Sequence, residues 1–286
     1  MRVVKISGGL GNQMFQYVFG QYLSKKYSEK VYYDIDWYKN IKPSKRMYNL
    51  ELLKFDIDFE IIRGKEFPFK CIILDTLIYL VKDLISFYKY NSIVLYESRV
   101  SLIGSLLSTI FRNSYHPGYW QEFKYYEYVS NEIEFKLNSD KLYINKKIKE
   151  KILDVNAVSI GIRRGDYVKL GNIVCGIEYY KNAIYQISKK VDKPIYFIFS
   201  DDIEWCKKNI KLTTEHYFVK QNKDLPFENM ELMSLCKHNI ISNSTYDWWG
   251  AILNKNSLKT IICPKKWMPN DVKIRKKLIP NEWIKI

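Results

Sequence analysis

Apolar and polar positions fall into blocks whose period switches repeatedly along the chain. Arg2-Val-Val-Lys-Ile-Ser7 is a short apolar run that reads as a strand. Gly8-Gly-Leu-Gly-Asn12 then predicts a turn, and from residue 13 to about residue 27 Phe15, Val18, Phe19 and Tyr22 recur at helical spacings. Residues 31–33 (Val-Tyr-Tyr) return to strand character. A strand, a glycine loop, a helix and a second strand open an α/β unit.

The second half repeats that rhythm more regularly. Val158, Ile160 and Ile162 mark a strand, Tyr180, Ile184 and Ile187 a helix, and residues 195–199 a buried strand followed by Asp201 or Asp202 as helix cap. Residues 229–237 predict a helix, 239–241 a strand, 247–254 a helix and 258–263 a strand. Steady alternation of strand and helix predicts a parallel sheet with helices on both faces. Residues 138–157 are rich in Lys and Asn, which places a domain boundary near 145–155 and divides the chain into residues 1–150 and 151–286. Residues 71–81 and 101–111 are strongly apolar and predict buried helices or strands, with an amphipathic element on a membrane surface as the alternative.

Composition narrows the classes. The 286 residues are 47% apolar and 16% aromatic, enough for a real core and too much for a disordered chain. A formal net charge of +15 predicts attraction to an anion: nucleic acid, an anionic membrane leaflet or a phosphorylated small molecule. The basic residues are dispersed, with neither a basic arm nor a zinc-finger spacing, so no nucleic-acid partner is expected. Five Cys without a Cys-x-x-Cys predict reduced thiols and a cytoplasmic location, and three scattered His predict no metal cluster. No secretory leader is expected, because Met1 runs directly into a strand, and no apolar run reaches the ~18 residues of a membrane span.

In open α/β sheets ligands bind beyond the carboxyl ends of the strands. Arg163-Arg164-Gly165-Asp166-Tyr167 follows directly on the strand at 158–162. Two guanidinium groups there suit a phosphate, whose oxygens match the guanidinium fork; the alternative is a structural Arg–Asp pair. Ser200-Asp201-Asp202 follows the next strand, where a carboxylate can accept two N–H groups from a guanine edge or simply cap a helix. Ser242-Asn243-Ser244-Thr245 precedes a helix and can form an anion site from hydroxyls and backbone N–H groups, or an ordinary cap. The glycine loop at 8–11 lacks the Lys-Ser/Thr of a P-loop. Asp34-Ile-Asp36 and Asp56-Ile-Asp58 have the spacing of a metal-binding pair, and also that of a strand end or turn.

Taken together these segments resemble glycosyltransferase family 11, the α-1,2-fucosyltransferases. The resemblance rests on Gly8-Gly-Leu-Gly-Asn-Gln-Met-Phe-Gln16, Gly118-Tyr-Trp-Gln121, Ile162-Arg-Arg-Gly-Asp-Tyr167, Val174-Cys-Gly-Ile-Glu-Tyr-Tyr180, Phe197-Ile-Phe-Ser-Asp-Asp202, Leu232-Met-Ser-Leu235 and Ser242-Asn-Ser-Thr-Tyr-Asp-Trp-Trp-Gly250. It implies a GT-B-like fold of two Rossmann-type domains facing a cleft. The N-terminal domain would be the acceptor side and the C-terminal domain the GDP-sugar side. It also implies GDP-β-L-fucose as donor, inversion at the anomeric carbon, and no metal or other cofactor. The acceptor would be O2 of a galactoside, on a glycan that can be lipid-linked.

Carried onto this chain, Arg163 would hold the donor diphosphate, with Arg164 as support or as partner to Asp166. Asp201 or Asp202 would read guanine, and Ser200, Asn243, Ser244, Thr245 and Tyr246 would complete the donor site. Gly9, Asn12, Gln13, Asp36, Trp120 and Gln121 would form the acceptor side. Arg163, Asp166 and Asn12 are the catalytic candidates, and Asp166, Asp36 and Glu122 the carboxylates for deprotonating the acceptor. Gly161 stands where family members usually carry His, and Tyr246-Asp247 where they usually carry Phe-Ser. Those departures keep another GDP-deoxysugar such as GDP-colitose as an alternative donor. A non-catalytic nucleotide- or glycan-binding protein is the alternative from another class. The implied setting is O-antigen or capsule synthesis, with peripheral contact to the inner face of an anionic membrane.

Overall fold

A computed structural model of the chain describes residues 1–40, 48–62, 92–94, 113–136, 145–222, 225–269, 271 and 277–286. The apolar segments 71–81 and 101–111 lie outside the described residues. The chain divides into two units, Met1–Asp140 and Lys141–Ile286.

The first unit is built on a parallel sheet of strands β1 (Arg2–Lys5), β2 (Val31–Asp34), β3 (Ile61–Ile62), β4 (Ser92–Val94) and β5 (Asn113–His116), in the order β3-β2-β1-β5-β4. Helices α1 (Leu10–Tyr27), α2 (Asp36–Asn40) and α3 (Phe123–Val129) accompany it. Helix α1 starts at Leu10 instead of Gln13, so the expected turn at 8–12 is shorter. Gly9 is extended and caps the helix, and its carbonyl accepts the N–H groups of Asn12 and Gln13 at 3.0 and 3.1 Å. Met14, Phe15, Val18, Phe19 and Leu23 are buried. Trp120 lies flat on Phe19, centroids 3.9 Å apart, and is buried with a left-handed φ of 56°.

The second unit opens with helix α4 (Lys146–Asp154). It continues through β6 (Ala157–Ile162), α5 (Gly165–Leu170), α6 (Ile177–Ser188), β7 (Ile195–Ser200), α7 (Ile203–Asn209) and β8 (His216–Val219). It ends with α8 (Phe227–Leu235), β9 (His238–Ile240), α9 (Thr245–Ile252), β10 (Ile261–Cys263) and β11 (Ile284–Lys285). All six strands are parallel, in the order β11-β10-β9-β6-β7-β8. Neighbouring residues of each central strand feed different cores, as the period of two requires. Val158, Ile160, Ile162, Tyr196 and Ile198 meet Tyr180, Ala183 and Ile187 of α6 and Cys206 of α7. Ala157, Phe197, Phe199 and Val219 meet Ile152 of α4 and Leu232 and Met233 of α8. Helices therefore cover both faces, and β6 is buried along its whole length.

The division between units lies ahead of the expected 150/151 position because α4 belongs to the second core. Glu228 accepts the Asn145 backbone N–H at 2.8 Å, and Lys149 pairs with Glu231 at 2.9 Å. A polar ladder crosses the centre of the sheet. Ser159 and Asn239 are register partners on β6 and β9, and Asn239 Nδ2 donates to Ser159 Oγ at 2.8 Å. Asn254 Nδ2 donates in turn to Asn239 Oδ1 at 2.7 Å. Cys175, Cys206, Cys236 and Cys263 are buried free thiols. Among the described residues no helix is long and apolar enough to cross a membrane.

Candidate functional site

Strand order decides where a ligand can enter each unit. In the second unit the chain runs outward from β6 through β7 to β8, then returns to the other side of β6 with β9. In open α/β sheets such a reversal is where the loops after the two central strands part and ligands bind, which here means the loops after β6 and β9. They carry Arg163-Arg164 and Ser242–Ser244. In the first unit the reversal lies between β1 and β5, whose following loops carry Gly8-Gly9 and Gly118–Gln121.

Around the end of β6 the two arginines are held by carboxylates. Arg163 Nη2 meets Asp166 Oδ1 at 2.5 Å, and Nη1 meets Asp201 Oδ2 at 2.8 Å. Arg163 keeps about a quarter of its side chain exposed, so its guanidinium is within reach of a ligand. Arg164 pairs with Asp202 at 3.3 Å, and its guanidinium lies 3.8 Å from the Trp205 ring centre, a cation–π contact that holds it flat. Asp166 therefore partners Arg163, and the alternative pairing with Arg164 is not the one formed. Asp201 Oδ1 also accepts the Arg164 backbone N–H at 2.9 Å. Asp202 caps α7, its Oδ1 accepting from the Trp205 N–H at 3.1 Å. Ser200 Oγ accepts the Asp202 N–H at 3.0 Å. The carboxylates after β7 thus serve the cap and the arginines, with Asp202 the more exposed of the two.

The loop after β9 is clasped from within. Asn243 is buried, and its Nδ2 donates to the carbonyls of Asn172 and Trp267 at 3.0 and 2.8 Å. Tyr167 OH donates to the Asn243 carbonyl at 3.3 Å. Ser244 caps α9, accepting the Tyr246 N–H at 3.2 Å, and Thr245 is the first helical residue. Tyr246 OH is turned away to the Pro226 carbonyl at 2.5 Å. Asn243 and Tyr246 thus shape the loop with bonds internal to the protein, while Ser244 and Thr245 stand at the helix start, where N–H groups favour an anion.

Asp247 was absent from the expected donor residues. It is buried, its Oδ2 accepting the Ser242 N–H at 3.1 Å and the Ser242 O–H at 2.5 Å. Burial raises its pKa to about 6, against the pull of the Ser242 bonds and the Arg163 charge. Gly161 makes room for it. A Cβ placed on Gly161 would stand 2.5 Å from Asp247 Cγ, closer than real atoms approach. Gly161 and Asp247, two of the positions where the sequence departs from the family pattern, are therefore one spatial feature.

In the first unit, Gly8 takes a left-handed φ of 79°, and its carbonyl accepts from Gln13 Nε2 at 2.9 Å and Tyr38 OH at 2.7 Å. Gln13 also donates to the Asn49 carbonyl at 2.7 Å, and its Oε1 accepts the N–H groups of Glu51 and Leu52 at 2.9 and 3.2 Å. With no exposed surface, Gln13 is a clamp on the loop and does not face an acceptor. Trp120 is likewise core, whereas its neighbour Tyr119 is 46% exposed. Gln121 Nε2 donates to Asn12 Oδ1 at 3.0 Å, and Gln16 joins the two loops through Ser7 N and the Gly118 carbonyl, both at 2.9 Å. Asn12, Gln121 and the Gly9 backbone thus stand together at the reversal. Asp36 starts α2 and pairs with Lys39 at 3.0 Å, while Glu122 pairs with Lys124 at 2.5 Å. Asp34 caps Asp36 through Oδ1 and accepts from Tyr115 OH through Oδ2, so that Asp-x-Asp string is a strand end. Asp56 and Asp58 are exposed.

The contacts missed from sequence join residues far apart in the chain. Trp205 beneath Arg164 and Asp247 beneath Gly161 are examples; composition and local pattern give no signal for them.

Comparison with known proteins places these loops in a family. An O-antigen biosynthesis glycosyltransferase of Escherichia coli, WbnK, is 28% identical over 98% of this chain and 99% of its own length. An α-1,2-colitosyltransferase of Escherichia coli is 28% identical over 99% of this chain and 98% of its own. The mouse galactoside 2-α-L-fucosyltransferase Sec1 is 23% identical over 88% of this chain and 64% of its own. The family described as Glycosyl transferase family 11 matches across residues 1–286, and the chain belongs to it.

Proposed function

We propose that this enzyme transfers L-fucose from GDP-β-L-fucose to O2 of a galactoside, with inversion and without a metal. The observation that carries the reading is the pair Arg163 and Arg164 at the strand reversal of the second unit, in a family 11 chain. Glycosyl transfer must stabilise a leaving diphosphate and an oxocarbenium-like sugar. In a metal-independent enzyme, fixed cations and backbone dipoles do this. Arg163 leaves its carboxylates for the diphosphate, the start of α9 adds N–H groups at Ser244 and Thr245, and Trp205 keeps Arg164 in place. Asp202, half open, is the carboxylate for the guanine edge. Asn12 and Gln121 orient the acceptor, Tyr119 gives its ring a face, and Asp166, Asp36 and Glu122 are the candidates for taking its proton. The name of the Escherichia coli relative WbnK supports a place in O-antigen synthesis, and a net charge of +15 suits work at an anionic membrane surface.

A second reading, transfer of colitose from GDP-colitose, is favoured by the full-length α-1,2-colitosyltransferase relative and by the Gly161–Asp247 contact. One experiment separates the two. The protein is incubated with GDP-fucose, GDP-colitose or GDP-mannose and a panel of β-galactosides, with and without EDTA, and products are read by mass and linkage. A 2-O-fucosyl product that survives EDTA supports the first reading, and a colitosyl product alone replaces it. GDP-sugar binding without turnover or slow donor hydrolysis makes the chain a binding protein.

A further inference from the structure

Among the described residues the arginine site holds more negative groups than positive ones. Arg163 faces Asp166 and Asp201, Arg164 faces Asp202, and Asp247 adds a fourth carboxyl beside Gly161. With every group ionised, these two arginines and four aspartates carry a formal balance of minus two. A nucleotide sugar adds one negative charge on each bridging phosphate. Like charges a few ångströms apart in a partly buried site cannot all remain ionised without cost. Moving Arg163 from carboxylate to phosphate makes the local imbalance worse, because Asp166 and Asp201 then share its charge with the diphosphate.

Asp247 is the group placed to relieve it. The other three carboxylates are ion-paired with arginine, whereas Asp247 is held by the neutral Ser242 N–H and O–H. Both of those bonds end on Oδ2, and among the described residues Oδ1 accepts none. A proton on Oδ1 therefore leaves the Ser242 clasp intact. Burial already favours the neutral acid. The charged groups acting on Asp247 are Arg163 beyond β6, which opposes protonation, and Asp201 beyond β7, which favours it. Tyr167 of α5, Cys175 before α6, Tyr179 and Tyr180 of α6, and Tyr246 of its own helix also sense it. Burial pushes all five upward, so they are neutral at physiological pH and supply no counter-charge.

We propose that the nucleotide sugar binds to the form of the protein in which Asp247 is protonated, so that donor binding draws one proton from solvent onto Asp247 as Arg163 transfers to the diphosphate. The inference rests on the donor reading above and adds a binding residue to it. The proton moves from buffer to carboxylate, and no other bond is made or broken.

The test is calorimetric titration of GDP-fucose into the full chain without acceptor, at pH 7, in buffers of different ionisation heat. GDP-fucose is chosen because both of its phosphates are diesters that do not titrate near neutrality; the terminal phosphate of GDP would. Expected are an uptake approaching one proton per donor bound and an affinity that falls up to tenfold per pH unit between pH 7 and 8. Asp247→Asn should bind with neither proton uptake nor that pH slope. Should Asp247→Asn fail to fold, Ser242→Ala serves instead. Removing the O–H donor disfavours the carboxylate in the free protein, so proton uptake and the fall in affinity should both set in at higher pH than in wild type. Binding with no buffer-dependent heat, or full uptake in folded Asp247→Asn, overturns the assignment while leaving the donor site standing. Absence of GDP-fucose binding by the folded chain overturns the donor reading and this inference with it.

Discussion

Replacing Gly161 with Ala adds a single methyl group and tests the fit between β6 and α9. The new Cβ would lie 2.5 Å from Asp247 Cγ, so the carboxylate would have to retreat by about 1 Å to reach ordinary contact. It cannot retreat freely, because Ser242 N–H and O–H hold it at 3.1 and 2.5 Å. Overpacking of this kind costs about 1–3 kcal/mol, and weakening one hydrogen bond to a charged group about 1.5–3 kcal/mol more. Gly161→Ala should therefore lose about 3 kcal/mol, or roughly 6–10 °C in melting temperature for a unit of this size. The three atoms nearest the added Cβ all belong to Asp247, so shortening that side chain removes the conflict at its source. In a double-mutant cycle, Gly161→Ala combined with Asp247→Ser should recover about 2 kcal/mol relative to the sum of the two single changes. Urea unfolding of the four proteins at pH 7 measures it. A Gly161→Ala protein within 0.5 kcal/mol of wild type, or single changes that simply add, would refute the reasoning.

Arg163→Ala should lower transfer at least ~100-fold with folding preserved, the scale of losing one preorganised charge contact, and single-turnover rates with donor and galactoside check it. Gln13→Ala strands the Glu51 and Leu52 N–H groups and the Asn49 carbonyl and leaves the Gly8 carbonyl to Tyr38 OH alone, a loss of about 3–5 kcal/mol in thermal unfolding. His116 is buried beside Arg2, and burial first and the Arg2 charge second lower its pKa to about 3. Above pH ~6.5 the ring is neutral folded or unfolded; below that only the unfolded chain takes the proton, so stability falls toward pH 3. The His116 share of that loss should be about 3 kcal/mol by pH 4, and His116→Gln should flatten the fall in urea midpoint across pH 4–7.

Much of the second unit was legible in the sequence because its strands are buried on both faces. Residues 195–199 form an unbroken apolar run and 157–162 is interrupted only by Ser159 and Gly161, and the polar residues that follow each strand stand at the strand ends where ligands are expected. Strand β8 was missed because its four residues, His-Tyr-Phe-Val, carry too short a pattern. In the first unit the motif Gly118-Tyr-Trp-Gln121 lies in the loop after β5, with Trp120 buried and Tyr119 exposed. A left-handed φ at Trp120 turns the larger ring into the core and leaves Tyr119 outside, and no periodicity encodes such a reversal. An Arg–Asp pair within residues 163–166 was expected, with Arg164 as the partner of Asp166 where Arg163 takes that place; the second partner of Arg163, Asp201, is brought in by β7 and was hidden.

The ladder of Ser159, Asn239 and Asn254 has a consequence for how the sheet assembles. Strands β6 and β9 come from opposite sides of the strand reversal and must find each other across some eighty residues of intervening chain. Apolar side chains alone would tolerate a slip of two residues, which keeps each face buried but displaces one strand end by about 6.6 Å. Such a slip would leave the Asn239 amide without Ser159 in a water-free interior, at a penalty of about 1–3 kcal/mol for each unpaired group. The buried amides therefore act as a proofreader during folding, rejecting sheets in which Arg163 and Ser242 would emerge out of step.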